Sequence, residues 1–174
     1  MNQDGFLNPS QIIRDLPIRG DMIVCDFGCG SGGWVIPISK MLTSGMVYAI
    51  DILEDAVSAL NGKISAEGLF NITAMLGDVE KGVKIKDGFV DLVFMTNLLF
   101  QVGDKKFVLE EGKRIMKPGG SILVIDWNKN APVGPKQAGI SIEETKVIAE
   151  DMGLTVEREF KAGNFHWGLI LRKI

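Results

Sequence analysis

Short apolar runs alternate along the chain with longer stretches in which apolar residues recur every three or four positions. The runs predict strands at Met22 to Phe27, Met46 to Ile50, Ile72 to Leu76, Asp91 to Met95 and Ser121 to Ile125. They are continuous rather than alternating, as expected of strands covered on both faces. A short helix is predicted from Asn8-Pro9, a capping residue followed by proline in the first turn. The next starts in a glycine loop and runs to about Leu42, with Pro37 early enough to be tolerated. A third carries Ala56, Val57, Leu60 and Ile64 on one stripe and stops near Gly68. A fourth follows Asp104, with Val108, Gly112, Ile115 and Met116 on one side, and ends at Pro118-Gly119-Gly120. The last opens on Ser141-Ile142-Glu143-Glu144, a capping-box spacing, and closes at Gly153.

Two final strands, Leu154 to Phe160 and Phe165 to Leu171, are joined by Lys161-Ala162-Gly163-Asn164. So short a link makes a hairpin, and the last strand runs against the others. The expected fold is α/β: Rossmann-like, doubly wound, with a mostly parallel seven-stranded sheet and an antiparallel C-terminal hairpin strand. Residues 1–174 read as one domain, with 1–20 an N-terminal helix and lid segment. Ligands of such sheets sit at the carboxyl ends of the strands, which brings the residues after the first five strands around one pocket.

Composition narrows the partners. The chain is 46% hydrophobic and 24% charged, with a net charge of −3, a poor basis for binding nucleic acid or a membrane surface by charge. It has no apolar run long enough to span a bilayer, and its opening MNQDGFLNPS lacks the build of a signal peptide. Cys25 and Cys29 offer no disulfide framework. A cytoplasmic protein without a metal site is expected.

The chemistry concentrates in VCDFGCGSGG, residues 24–33. Gly28, Gly30 and Gly33 satisfy G-x-G-x-x-G, and Asp51 lies where a ribose-binding acid belongs, so a nicotinamide dinucleotide is a contender. Asp26 argues otherwise. A dinucleotide lays its pyrophosphate on such a loop, and a carboxylate beside it repels that charge. S-adenosylmethionine carries an ammonium, a sulfonium and no phosphate, and gains from a nearby carboxylate.

The loop resembles motif I of the class I S-adenosylmethionine-dependent methyltransferases, small-molecule type 11 group. Tyr48-Ala49-Ile50-Asp51, Leu76-Gly77-Asp78-Val79, Asp91 to Asn97 and Met116-Lys117-Pro118-Gly119-Gly120 resemble the family's later motifs in the same order. The resemblance implies S-adenosylmethionine as cofactor and S-adenosylhomocysteine as product. It implies that Asp26, Gly28 and Gly30 approach the methionyl end, with Asn97 bordering it. Asp51, followed by Ile52, would take the ribose hydroxyls. Asp78 would meet the adenine amino group, and Val79 would supply a backbone contact. The alternative for Asp51 and Asp78 is a turn or cap acid, the common role of an Asp after a strand.

An acceptor that loses a proton needs a base. Asp126, followed by Trp127 and Asn128, and His166, at the start of the antiparallel strand, return to one edge and are the catalytic candidates; with the last strand beside the fifth they become neighbours. The alternatives are a strand histidine hydrogen-bonded for packing and an Asp126 that holds a turn through Asn128. Phe6-Leu7 and the connection from Asn128 to Gly139 are candidate lids. Thr96-Asn97-Leu98-Leu99 lacks the prolines of base-directed amino methyltransferases, and no basic, aromatic-interleaved surface announces RNA. A small-molecule acceptor is left, with specificity supplied by the loops or by a homodimer. The alternatives are a non-catalytic binder of the same cofactor, whose acceptor edge is expected to be closed, and an NAD(P)-dependent reductase.

Overall fold

Asn8 opens the first helix, α1 (Pro9–Arg14), by accepting the Gln11 N–H on its side chain at 3.2 Å, with proline in the first turn. A computed structural model describes residues 7–135 and 139–174 of the chain. Along them follow β1 (Ile23–Phe27), α2 (Val35–Ser39), β2 (Met46–Asp51), α3 (Glu54–Glu67), β3 (Ile72–Leu76), a 3-10 turn (Val79–Lys81), β4 (Val90–Thr96), α4 (Lys105–Ile115), β5 (Met116–Trp127), α5 (Ile142–Asp151), β6 (Leu154–Ala162) and β7 (His166–Lys173).

The strands form one seven-stranded sheet in the order β3-β2-β1-β4-β5-β7-β6. β1 to β5 pair in parallel, and β7 lies antiparallel between β5 and β6. This is the expected doubly wound sheet with its antiparallel hairpin strand. Successive side chains of a strand face opposite ways, and both sides are apolar. Cys25, Phe27, Val93, Met95 and Val124 pack with α4 and α5; Val24, Val47, Phe94, Leu123 and Ile125 pack with α1, α2 and α3.

Several elements follow the sequence closely. β3 has the expected limits, α3 ends on Gly68 in the left-handed conformation, and Ser141 with Glu144 closes a reciprocal capping box. Two elements differ. The helix after the glycine loop is only Val35–Ser39, because residues 28–34 are spent in turns and Pro37 removes a donor. β5 begins at Met116, five residues early. Met116 pairs with Val90 and Ser121 with Leu92, so Lys117-Pro118-Gly119-Gly120 bulges out opposite Asp91. The turn expected there is present, but inside a strand. The Lys117 ammonium closes it by binding Asp91, which also accepts the Ile23 N–H at 2.8 Å. Of the proposed lids, Phe6 and residues 136–138 lie outside the described residues. Leu7 packs, partly buried, against the core on the α1 side.

Candidate functional site

At the carboxyl ends of β1, β2 and β3, against the start of the connection to α4, the fold leaves a cavity of about 400 Å³. Its charged lining residues are Asp51, Asp78 and Glu80; no lysine, arginine or histidine lines it among the described residues. Gly28 and Gly30 form part of the wall, with Ile52, Leu53, Val79, Leu98, Gln101 and Val102.

The glycine loop is fixed by its backbone. The Gly28 and Cys29 N–H groups both donate to Ile50 O, at 2.8 and 2.9 Å, and Gly30 N donates to Asp51 Oδ2 at 2.8 Å. Asp51 Oδ1 accepts the Leu53 N–H at 2.9 Å, so one carboxylate at the end of β2 ties the loop to the start of α3. From α3, Lys63 reaches back to Ser31, donating to its carbonyl at 2.7 Å and its hydroxyl at 3.1 Å. A carboxylate offers about four lone-pair sites, so Asp51 keeps acceptor capacity on the cavity side.

The glycines separate the two cofactor readings. Gly28 has φ +73°, and a Cβ there would stand 3.0 Å from Leu98 Cδ1. In the dinucleotide fingerprint the third glycine allows close helix–strand packing. A Cβ on Gly33 meets nothing within 4 Å, whereas one on Gly32 would stand 2.6 Å from Leu60 Cδ1. The tight packing therefore falls one residue off the fingerprint. The following helix, of five residues, also brings little of the dipole that a pyrophosphate uses.

Asp78 is the turn acid its position allows. Its carboxylate caps the 3-10 turn by accepting the Glu80 N–H at 3.0 Å and pairs with Lys81 at 3.1 Å, and the Lys81 bond, first among the causes, holds its carboxyl below the usual range. It lines the cavity as well. Asp26 differs from its expected place at the loop's mouth. It is fully buried, sits on the α1–α3 face of β1 and is not among the lining groups. Burial, and then the charge of Asp51, push its carboxyl well above the usual range, and neither oxygen has a partner. The Asn97 side-chain oxygen, after the neighbouring strand β4, is buried and unpartnered too, on a residue held at φ 51°.

The two catalytic candidates do not meet. β7 does lie beside β5, but Asp126 pairs with Trp167 and His166 with Trp127. Their side chains therefore leave opposite faces of the sheet. Asp126 is fully buried, and its carboxylate accepts the Phe100 N–H at 3.0 Å and the Trp127 N–H at 2.8 Å; burial pushes its carboxyl up to about 6. His166 is buried and stacks on Trp127 with ring centroids 4.0 Å apart. Both its ring nitrogens lack a partner, and burial lowers its pKa. The connection after β5 covers part of this edge, with Gly134 against the Trp127 ring and Gly139 against Phe100, while His166 and Trp167 line, with Asn128 and Phe160, an open cavity of about 500 Å³.

The sequence reading missed Leu53, Glu80, Leu98, Gln101 and Val102. For Leu53 a signal was present: it holds the N-cap position of α3 with no capping side chain, where Ser, Thr, Asp or Asn is preferred. Ile52 and Leu53, each 62% exposed, form an apolar lip on the cavity.

Known proteins share this architecture. The methyltransferase domain family matches residues 18–160. A demethylmenaquinone methyltransferase of Staphylococcus aureus strain MRSA252 is 30% identical over 120 residues, which are 68% of this chain and 48% of that protein. The chain thus spans about half the length of the curated relatives it matches. A crystal structure of a SAM-dependent methyltransferase from Aquifex aeolicus superposes with a TM-score of 0.88 at 30% identity, covering 97% of this chain and 90% of that one. The cyclase SpnF, at 14% identity, reaches a TM-score of 0.83 over 95% of this chain and 79% of its own, a likeness of fold alone. Among the described residues no helix is long and apolar enough to cross a membrane. The match over most of its length, with the near-complete superposition at 30% identity, makes this chain a member of the methyltransferase domain family, in the class I S-adenosylmethionine-dependent group.

Proposed function

We propose that this chain transfers a methyl group from S-adenosylmethionine to a small-molecule acceptor. The observation that carries the proposal is the cavity at the ends of β1 to β3, whose charged lining is carboxylate only, behind an apolar lip. That lining suits a ligand with hydroxyl and amino hydrogens to donate and a flat, uncharged ring, and it repels a pyrophosphate. When bound, the cofactor supplies a methyl group already activated by the sulfonium. The task of the chain is to hold it and exclude water. Asp51 takes the ribose hydroxyls while it fixes the loop through Gly30 N. Ile52, Leu53 and Val79 flank the ring, and Asp78 accepts from its amino group. Gly28 and Gly30 let the methionyl chain approach the backbone. Asp26 and the Asn97 side-chain oxygen, buried acceptors without a partner that stand outside this lining, are assigned to the methionyl end.

Asp126 and His166 are given no proton to move: the first is bonded to backbone amides, and the second leaves the opposite face of the sheet. The separation of Asp126 and His166 onto opposite faces of the sheet also favours a second reading, a non-catalytic binder of the same cofactor. Calorimetric titration with S-adenosylhomocysteine and with NADH tests the first step. Binding of the former alone is expected, and binding of NADH alone overturns the proposal. Turnover of labelled S-adenosylmethionine on an acceptor panel then separates enzyme from binder. The panel includes demethylmenaquinone, the compound in the Staphylococcus aureus relative's name.

A further inference from the structure

Residues 97–104, between β4 and α4, are held by carboxylates from two other elements. Asp126 Oδ2, on β5, takes the Phe100 N–H at 3.0 Å. Beyond it Glu80, in the 3-10 turn after β3, places one oxygen, Oε1, 2.8 Å from both Gly103 N and Asp104 N. Leu98, Gln101 and Val102 lie between or beside these anchors and line the cavity, as do Val79 and Glu80 themselves. Glu80 therefore links two separately built parts of the cavity wall. The approach is close: a Cβ on Gly103 would stand 3.2 Å from Glu80 Oε1.

Glu80 is exposed, and a carboxylate in water contributes little to global stability. Its two bonds instead remove freedom from the outer end of a segment whose inner end is already pinned. The oxygen also lies at the start of α4, where the helix field favours an anion. We infer that Glu80 is a positioning residue for the nucleoside part of the cofactor, holding the β4–α4 segment against the 3-10 turn so that the cavity keeps its width. The inference rests on the cofactor reading of this cavity. It assigns Glu80 a role through its hydrogen bonds, not through its charge on the ligand.

Gln retains a carbonyl oxygen that can accept both amide hydrogens, and Ala retains none. The full chain, with Glu80→Ala and Glu80→Gln, is titrated with S-adenosylhomocysteine, and amide exchange at Gly103 and Asp104 is followed without ligand. Glu80→Ala is expected to bind about 10-fold more weakly, as when the competent fraction of the wall falls to about one-tenth. Exchange at both amides quickens. Glu80→Gln recovers affinity to within about 3-fold and slows exchange again, and the melting midpoints of all three proteins agree within about 2 °C. Unchanged affinity in Glu80→Ala overturns the inference. So does a Gln variant as weak as the Ala variant, which would mean that charge is the working property. Absence of binding by the unmutated chain overturns the cofactor reading itself, and is told apart because it appears before any substitution.

Discussion

At the carboxyl edge of the sheet, the β1–β3 side and the β5–β7 side both place acids at strand ends, with opposite results. On the first side Asp51 and Asp78 bind loop amides and still border a cavity. On the second Asp126 also binds loop amides, but it is fully buried, and the neighbouring Trp127 is covered by the chain after β5. The difference lies in what covers each strand end. Glycines and an apolar lip leave room beside the acids on one side; on the other Gly134 and Gly139 bring backbone down onto Trp127 and Phe100, and the open cavity beside His166 does not reach Asp126. A carboxylate becomes available to a ligand through the space its neighbours leave, not through its position after a strand.

Asp51→Ala should break the comparison most. It removes an expected ligand contact and two loop anchors, and calorimetry should show S-adenosylhomocysteine binding weakened about 100-fold, roughly 2.7 kcal/mol. Trp127→Ala acts on the other side. It should cost about 2 kcal/mol in denaturant unfolding, since it uncovers His166 and the Gly134 contact, yet leave cofactor affinity within about 3-fold. A large loss of affinity there would show that the two sides are coupled.

Asp126→Asn sharpens the contrast through pH. The folded protein holds this proton up to about 6, against 3.8 for the ordinary carboxyl, so ionised Asp126 weakens the fold near neutrality. As pH falls from about 6 to 4, the unmutated chain should gain stability relative to Asp126→Asn, measured by urea titration at each pH. His166 works the other way. Its lowered pKa means the fold prefers the neutral ring, so its contribution is present above the ordinary value of 6.5 and is lost as pH falls below it. His166→Gln should remove that acid-side loss. The smallest effect is expected from Lys63→Ala, which unpins Ser31 from the outside. It should cost about 0.5 kcal/mol in stability and change cofactor affinity less than about 2-fold.

Legibility in the sequence followed the range of the interactions. β3, the Gly68 stop and the Ser141–Glu144 box are local, and their residues announce them. The early start of β5 was hidden because Pro118-Gly119-Gly120 signals a turn, while the pairing of Met116 with Val90 depends on a strand some 25 residues away. The separation of Asp126 from His166 depends on register. A shift of one residue between β5 and β7 would put them on one face, and nothing in either strand states that register. Asp51 and Asp78 were legible as acids at the cavity because motif and turn positions coincide there. Asp26 was legible as an acid but not as a buried one, since its burial is imposed by strands on both sides. Glu80 was invisible, because its partners Gly103 and Asp104 are contributed by another element.

The bulge at Lys117–Gly120 gives the molecule a handle. Those residues lie outside the β4–β5 ladder, at the amino edge of the sheet and a full strand length from the cavity. Gly119 is exposed, and a Cβ there meets nothing. Extra residues spliced after it lengthen a loop that carries no ladder bonds, at the slowly growing entropy of a larger ring. A fluorophore or surface tether attached there would stand at the far end of the sheet and leave the lining of the cavity untouched.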